Sequence, residues 1–259
     1  MKHKFYKYQG TGNDFVIIDN RQEIFDISNT KLINHLCDRR FGIGADGLIL
    51  LENHNAADFK MVYFNADGNE SSMCGNGGRC VSAFAKYLGV IENEGTFEAV
   101  DGLHHVIIED EVIKLKMQDV DIIDKKDGYV FLDTGSPHHV QFQEGLNDFD
   151  VKTEGAKIRY SHLYNEAGSN INFVEAIDNK TFAVRTYERG VEGETLSCGT
   201  GVTAVALAMH NISETEKNLI TLKTKGGILK VSFEETGTSY SNVWLIGPAI
   251  MVYKGELSW

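Results

Sequence analysis

The feature that most constrains this chain is an internal repeat of about half its length. Three pairs of similar segments occur in the same order along the 259 residues, namely residues 12–16 (GNDFV) and 135–140 (GSPHHV), residues 59–68 and 182–190, and residues 74–77 (CGNG) and 198–201 (CGTG). The offsets are 123, 123 and 124 residues. One such similarity could arise by chance, but three in register indicate a duplicated unit. The sequence therefore predicts two similar domains that face each other.

The boundary between the two predicted domains lies near residues 117–119. The first domain comprises residues 1–117, joined by residues 252–259, and the second comprises residues 118–251. Short apolar runs bounded by Gly, Asn or Asp predict strands at residues 14–18, 59–64, 105–108, 112–117, 171–175, 181–187 and 229–233. The clearest predicted helices are residues 29–37, 78–88 and 201–210. This is a strand-rich chain with few helices.

The charge balance argues against partners that need a broad cationic face. With 25 basic and 37 acidic residues the formal net charge is −12, which disfavours nucleic acid and anionic membrane surfaces. No basic, apolar signal segment opens the chain. The longest apolar stretch, residues 243–253, contains Gly247 and Pro248 and is well short of the roughly 20 residues that a spanning helix needs. We expect a cytoplasmic protein without a membrane partner.

The two Cys-Gly-x-Gly turns are the candidate site. Each follows a strand and a polar turn and leads into an apolar helix, which places Cys74 and Cys198 at helix N-termini. There the first backbone N–H groups lack intrahelical partners, so the turn favours an anion and favours a thiolate over a thiol. The remaining cysteines, Cys37 and Cys80, lie in apolar helical segments and are predicted to be core residues.

The duplication decides between an inert and a reactive interpretation of these cysteines. A single turn of this kind indicates a buried structural cysteine. Two domains related by a pseudo-twofold axis, however, could place both thiols on opposite sides of one carbon atom. In that arrangement one thiolate can remove the proton from one face of the carbon while the other thiol delivers a proton to the opposite face, which inverts the configuration.

The residues around both turns carry a family resemblance. Residues 73–80 (MCGNGGRC) resemble the first active-site signature of the diaminopimelate epimerases. Further matches, in the family's order along nearly the whole chain, are residues 12–15, 42–46, 64–68, 137–138, Asn172, 188–190 and 194–201. The resemblance implies an α+β fold of two pseudo-symmetric domains, each a strongly curved, mostly antiparallel sheet around a central helix.

The resemblance also implies an activity. It is the reversible conversion of L,L-diaminopimelate to the meso form, in lysine and peptidoglycan biosynthesis. The small-molecule substrate would be turned over by a cytoplasmic homodimer without pyridoxal phosphate, another cofactor or a metal ion.

Roles carried over by motif make Cys74 and Cys198 the two catalytic bases. The backbone amides that would hold the α-carboxylate are those of Gly75, Asn76, Gly199 and Thr200. The residues that would bind the substrate's amino groups and distal carboxylate are Asn13, Asn65, Asn172, Glu188 and Arg189, of which Arg189 suits a bidentate carboxylate contact. His138 and Glu188 would lie near the thiols.

Two positions depart from the family's pattern. Many members have Asn before the Pro-His pair, where this chain has Ser136. The side chain of serine is shorter than that of asparagine, so it reaches less far in one polar contact to the substrate. The segment 189–194 (RGVEGE) is one residue longer than the usual Arg-Gly-x-Gly-Glu spacing.

Alternative functions have weaker support in the sequence. Residues 42–47 (GIGADG) satisfy the dinucleotide-binding pattern, but a helix precedes them and a strand follows, the reverse of the required context. The nearest rival is a two-thiol racemase of proline, hydroxyproline or histidine. A thiol redox protein would use Cys74 and Cys198 as a dithiol, although no Cys-x-x-Cys is present. A carboxylate-binding module would leave the ligand's stereochemistry intact.

Overall fold

The computed structural model describes residues 2–71 and 73–258. The strands in this part of the chain are β1 (Lys2–Gly10), β2 (Asn13–Asp19), β3 (Gly47–Glu52), β4 (Phe59–Asn65), β5 (Glu94–Ala99), β6 (Gly102–Glu109), β7 (Val112–Lys116), β8 (Ile123–Lys126), β9 (Tyr129–Asp133), β10 (Pro137–Phe142), β11 (Asn170–Asp178), β12 (Thr181–Glu188), β13 (Gly193–Thr195), β14 (Leu219–Thr224), β15 (Gly227–Thr236), β16 (Ser239–Pro248) and β17 (Ile250–Ser258). The helices are α1 (Thr30–Cys37), α2 (Gly75–Tyr87), α3 (Val151–Arg159) and α4 (Gly199–Asn211), together with a short 3-10 helix, Leu146–Asp148. Every strand predicted from the sequence is present.

The chain divides into two compact units. One comprises Met1–Leu115 with Gly247–Trp259, and the other comprises Lys116–Ile246. In the first unit β2 pairs parallel with β3, β3 antiparallel with β4, and β4 parallel with β5, after which β5, β6 and β7 are antiparallel. β1 pairs antiparallel with both β2 and β17.

The second unit repeats this connectivity. β10 pairs parallel with β11, β11 antiparallel with β12, and β12 parallel with β14, after which β14, β15 and β16 are antiparallel. β9 pairs antiparallel with β10 and with β8. In both units a helix separates the first two parallel strands and a second helix separates the next parallel pair.

Each unit is built around its second helix. Nearly every residue of α2 from 75 to 85, and of α4 from 199 to 209, is buried. A helix buried on all sides must be enclosed by its sheet rather than laid on one face of it. In α2 the packing around Gly77 is close, because a Cβ atom there would lie 3.1 Å from Ile49 Cδ1 and 3.2 Å from Met61 Cε, and these side-chain ends would have to shift by a few tenths of an ångström.

The structure corrects the predicted helix starts and adds a helix. α2 begins at Gly75 rather than residue 78, since Gly78 N already donates to Cys74 O at 2.7 Å. α4 likewise begins at Gly199 rather than residue 201. α3 was not predicted, because its sequence VKTEGAKIR buries only Val151, Gly155 and Arg159. Within the described residues no helix has the length and apolar character that crossing a bilayer demands.

Candidate active site

Both predicted turn cysteines are the N-cap residues of buried helices. Cys74 precedes α2 with φ −112° and ψ 120°, and Cys198 precedes α4 with φ −119° and ψ 115°. The first intrahelical bonds are Gly78 N to Cys74 O at 2.7 Å and Val202 N to Cys198 O at 3.0 Å. The N–H groups of residues 75–77 and 199–201 therefore have no intrahelical acceptor. Each thiol thus adjoins a group of amide donors at the positive end of a helix dipole.

Cys74 lies in a group of amide side chains. Its Sγ donates to Asn13 Oδ1 at 3.4 Å, and Asn76 Nδ2 donates to the same oxygen at 3.2 Å. Asn13 Nδ2 in turn donates to Asp46 Oδ2 at 2.7 Å. The structure thus brings together three predicted site residues, Cys74, Asn13 and Asn76, and adds Asp46.

A four-residue ion cluster supports this side of the first unit. Asp14 pairs with Lys7 and with Arg39, and Arg39 also pairs with Asp46 at 2.7 Å. Burial by itself would raise the pKa of Asp14, but hydrogen bonds from Arg39 and Lys7 outweigh it and lower that pKa to about 2. Asp14 is therefore ionised throughout the neutral range.

Cys198 lies among hydroxyl groups instead. Its Sγ is 3.5 Å from Thr200 Oγ1, and Thr134 Oγ1 donates to Thr200 O at 2.9 Å. A Cβ atom on Gly201 would lie 2.6 Å from Asn172 Oδ1 and 3.3 Å from Cys198 Sγ. Only glycine lets both side chains approach the start of α4 this closely.

The adjacent histidines of β10 have different surroundings. Asn172 Nδ2 donates to His138 Nδ1 at 3.1 Å, while Nε2 of this fully buried ring has no partner among the described residues. His139 Nδ1 contacts Tyr164 Oη at 2.7 Å, and its ring stacks on Tyr129 with centroids 4.3 Å apart. His139 is thus fully engaged by its own unit, whereas His138 retains an unused ring nitrogen.

Asn172 itself is held by several protein contacts. Besides His138, its Nδ2 donates to His139 O at 3.0 Å, and its Oδ1 accepts from Thr186 Oγ1 at 2.9 Å. These contacts hold the side chain in one orientation and make it a support for His138.

Arg189 is held by a network that the sequence did not reveal. Its Nη1 donates to Ala167 O at 3.0 Å and its Nη2 to Ser136 Oγ at 3.4 Å. Asn170 links the group, since its Nδ2 donates to Ser136 Oγ at 2.9 Å and its Oδ1 accepts from Arg189 N at 2.8 Å. Asn170 stands opposite His138 in the β10–β11 register, which only the pairing of these strands discloses.

The longer segment after Arg189 is fastened by Glu192. The Glu192 carboxylate accepts from Tyr160 Oη at 2.9 Å, from Tyr187 Oη at 3.2 Å and from Gly190 N at 3.1 Å. The backbone N–H of Glu192 donates to Glu188 O at 2.9 Å. These contacts close the turn that follows Arg189.

The remaining predicted residues are placed as follows. Asn65 is exposed at the end of β4, and Glu188 is half-buried at the end of β12. Cys37 and Cys80 are buried, and burial raises the pKa of each thiol to about 12. Their predicted core role is confirmed.

Comparison with known proteins defines the family. The sequence profile of the family described as diaminopimelate epimerase matches residues 5–123 and 130–252. A diaminopimelate epimerase of Flavobacterium psychrophilum is 61% identical over 252 residues, which are 97% of this chain and 98% of that protein. The chain belongs to the diaminopimelate epimerase family. It is accordingly an isomerase of the epimerase type.

Solved structures of other proteins share the fold. A phenazine biosynthesis protein of the PhzF family from Bacillus anthracis aligns with a TM-score of 0.76 at 14% identity and covers 100% of both chains. A probable proline racemase from Agrobacterium radiobacter aligns with a TM-score of 0.69 at 13% identity and covers 98% of this chain and 92% of that one. The predicted fold class is confirmed.

Proposed function

We propose that this chain interconverts L,L- and meso-diaminopimelate, with Cys74 and Cys198 as its two acid–base groups. The family and the 61% identical relative named for this activity support the reaction. The observation that carries the choice of residues is the repeated geometry of the two turns. Each cysteine caps the start of a buried helix, beside amide groups that have no intrahelical acceptor.

The chemistry follows from what an α-proton requires. One thiolate takes the proton from Cα and becomes a thiol, and the C–H electron pair moves into the carboxylate as an enediolate. The N–H groups of Gly75, Asn76, Gly199 and Thr200 would stabilise that charge electrostatically. The other thiol then gives its proton to the opposite face of Cα and becomes a thiolate. The net result is inversion with one proton exchanged, and no oxidant or reductant is needed.

The remaining polar groups would recognise the substrate. A buried N–H without an acceptor is costly, so His138 Nε2–H is suited to donate to a substrate oxygen. Arg189 would release Ala167 O and Ser136 Oγ to take the distal carboxylate. Asn13, Asn65 and Glu188 are the proposed contacts of the amino groups and remaining polar atoms. Asn172, which also holds the ring of His138, is a further proposed substrate contact.

Two halves of the chain would form the enzyme. Residues 1–117 with 252–259, and residues 118–251, would be the two epimerase halves. The enzyme would work as a cytoplasmic homodimer on a small-molecule substrate, with no nucleic-acid or membrane partner. It would need neither pyridoxal phosphate nor a metal ion.

The deciding experiment is a direct assay of stereochemistry. The purified protein is incubated with L,L-diaminopimelate, and the isomers are resolved by chiral chromatography. We expect equilibration with the meso form, and no racemisation of proline, hydroxyproline or histidine in parallel samples. Turnover of one of those amino acids instead would favour the rival racemase, and ligand binding without inversion would favour a binding module.

A further inference from the structure

Arg159, the last residue of α3, is a buried cation that the proposed chemistry does not use. It is 8% exposed, and its Nη2 donates to Glu192 Oε1 at 3.4 Å. Its guanidinium also lies against the backbone of Gly168, because a Cβ atom on that glycine would be 2.1 Å from Arg159 Cζ and Nη1. The side chain of Arg159 therefore joins two segments that are distant in the sequence, one that precedes β11 and one that follows β12.

The segment before β11 is one support of Arg189. Ala167 O accepts from Arg189 Nη1 at 3.0 Å, and Gly168 follows Ala167 directly. Gly168 has a φ of +64°, which glycine adopts without steric cost. The guanidinium of Arg159 fills the space in which a larger residue at 168 would place its Cβ atom. The position of Ala167 O therefore depends on Arg159.

The turn after β12 is the second support of Arg189. Glu192 accepts from Gly190 N at 3.1 Å, and its backbone N–H donates to Glu188 O at 2.9 Å, so these bonds fix the chain on both sides of Arg189. Burial alone would raise the pKa of Glu192. The hydrogen bond from Gly190 N and the charge of Arg159 are among the contacts that outweigh burial and lower this pKa. Glu192 is therefore ionised at neutral pH, and Arg159 presents a buried positive charge to it.

The helix α3 gives Arg159 a fixed base. This helix packs closely on β12, because a Cβ atom on Gly155 would lie 2.4 Å from Tyr187 Cβ. The guanidinium carbon of Arg159 lies 4.8 Å from the centroid of the Tyr160 ring, and the Tyr160 hydroxyl donates to Glu192 at 2.9 Å. A side chain that is carried by a packed helix holds its neighbours more precisely than one on a flexible loop.

We propose that Arg159 is a positioning residue for Arg189, which it keeps in one orientation by bridging Gly168 and Glu192, so that Arg189 is ready to receive the distal carboxylate of the substrate. This consequence for substrate binding rests on the proposed function. Without Arg159, Arg189 would sample more orientations, and binding would have to order it at a cost in affinity. The holding of the two segments does not depend on the function and is measurable without substrate.

The first test compares backbone amide exchange with deuterium in Arg159→Met and in the parent protein, by mass spectrometry of peptides. Methionine keeps an apolar stem and removes the charged, planar guanidinium. Peptides that cover residues 164–168 and 189–193 should exchange about fivefold faster or more in the variant. Residues 94–109, in the first unit, should exchange as in the parent. Unchanged exchange at residues 189–193 would overturn the proposal.

A second variant decides if Arg159→Met exchanges faster throughout the chain, which would indicate general loss of the fold. The Cβ atom of Gly168→Ala would displace the guanidinium from the opposite side. It should therefore speed exchange at residues 189–193. Gly128→Ala is the matched control, because Gly128 also has a positive φ, of +82°, but a Cβ atom there would meet nothing within 4 Å. Equal exchange at residues 189–193 in the two alanine variants would contradict the bridge.

Steady-state kinetics test the consequence for Arg189. Arg159→Met should raise KM for diaminopimelate about fivefold with kcat within about twofold, because Arg189 is proposed to bind the distal carboxylate and not to transfer protons. In a Glu192→Gln background the same substitution should raise KM further by about twofold or less, because both residues act on one turn. An unchanged KM, a fall in kcat alone or fully independent effects of the two substitutions would refute the positioning role.

The two kinds of measurement separate this proposal from the proposed function. If the unmodified protein does not invert diaminopimelate, the proposed function fails, and amide exchange still decides whether Arg159 holds the turn of Arg189. If inversion occurs and Arg159→Met loosens residues 189–193 without raising KM, the proposed function stands and the positioning role fails.

Discussion

Asn172 donates its side-chain amide to Nδ1 of His138 at 3.1 Å, and both residues are completely buried. The contact fixes the tautomer, because an acceptor at Nδ1 leaves the ring proton on Nε2. Burial, reinforced by the positive charge of Arg189, lowers the pKa of His138 to about 3. His138 is therefore a neutral donor at physiological pH and not a titrating base.

The first prediction is a loss of stability in mild acid. Burial also lowers the pKa of His139 to about 4, despite the opposing contact with Gln141. Below about pH 6.5 the unfolded chain binds protons at both histidines, and the folded chain does not. The two neutral rings contribute fully to the free energy of unfolding above that pH, and this contribution is lost as the pH falls toward 4. Each should add about 1.4 kcal/mol per pH unit to the slope of the unfolding free energy.

Urea unfolding at pH 7, 6 and 5 measures this slope. His139→Gln should reduce the wild-type slope by about 1.4 kcal/mol per pH unit. His105→Gln, which alters a more exposed histidine paired with Glu94, is the surface control. Identical slopes for wild type and His139→Gln would contradict a neutral buried ring.

The second prediction concerns the ion cluster beneath Asn13. Lys7 is buried and contacts Asp14 and Gly44 O, whereas the Arg39 side chain is 59% exposed. Asp14→Asn leaves Lys7 as an uncompensated buried charge and should cost about 3 kcal/mol or more of unfolding free energy at pH 7. Arg39→Met should cost less than about 1 kcal/mol. Chemical denaturation decides, and equal costs would show that burial of Lys7 is not the determining factor.

The third prediction concerns the turn of Arg189. Glu192→Gln weakens the charge-assisted contacts to Tyr160, Tyr187 and Gly190 N, so Arg189 should be held less firmly. We expect KM for diaminopimelate to rise about fivefold, equivalent to about 1 kcal/mol of lost hydrogen bonding, with kcat within twofold. Glu154→Gln, which alters an exposed pair with Lys157, is the matched control. A fall in kcat at unchanged KM would argue against this role.

Local signals in the sequence predicted much of this molecule. The two helix-start cysteines follow from glycine-rich turns that lead into apolar segments, and the period-two strands follow from alternation. Only the first residues of α2 and α4 were predicted wrongly, because both helices begin within glycine-rich segments. α3 could not be predicted from its sequence, because it contains few apolar residues. It packs closely against Tyr187, where a Cβ on Gly155 would lie 2.4 Å from Tyr187 Cβ.

The supporting residues of the site were harder to predict. Asn170 acquires its role from the parallel register of β10 and β11, and Thr134 from its contact with Thr200 O.

The fourth prediction separates the turn cysteines from the core cysteines. Cys74→Ala and Cys198→Ala should each reduce the rate of epimerisation about 10²- to 10⁴-fold, the range typical of a lost acid–base group. Cys37→Ala and Cys80→Ala remove buried thiols that are not at helix starts, and folded protein should retain most activity. Initial rates with L,L-diaminopimelate measure the effect. A fully active Cys198→Ala enzyme would exclude the two-base assignment.

The fifth prediction tests the mechanism through isotope exchange. In deuterium oxide, the first meso product should carry solvent deuterium at the inverted carbon, while recovered L,L substrate stays nearly unlabelled. A thiol holds a single exchangeable proton. The proton removed from Cα stays on the first sulfur, and the one delivered comes from the second sulfur, which has equilibrated with solvent beforehand.

The two isomers therefore report on different sulfurs. Return of the intermediate to the starting isomer restores the original hydrogen, because the first thiol has had no time to exchange. A one-base enzyme with a polyprotic lysine and pyridoxal phosphate could pass the same hydrogen to the other face, so its product would partly retain hydrogen. Initial-rate deuterium contents of both isomers, measured by mass spectrometry without added cofactor, distinguish these cases. Equal early labelling of substrate and product, or retention of hydrogen in the product, would exclude Cys74 and Cys198 as separate single-proton carriers.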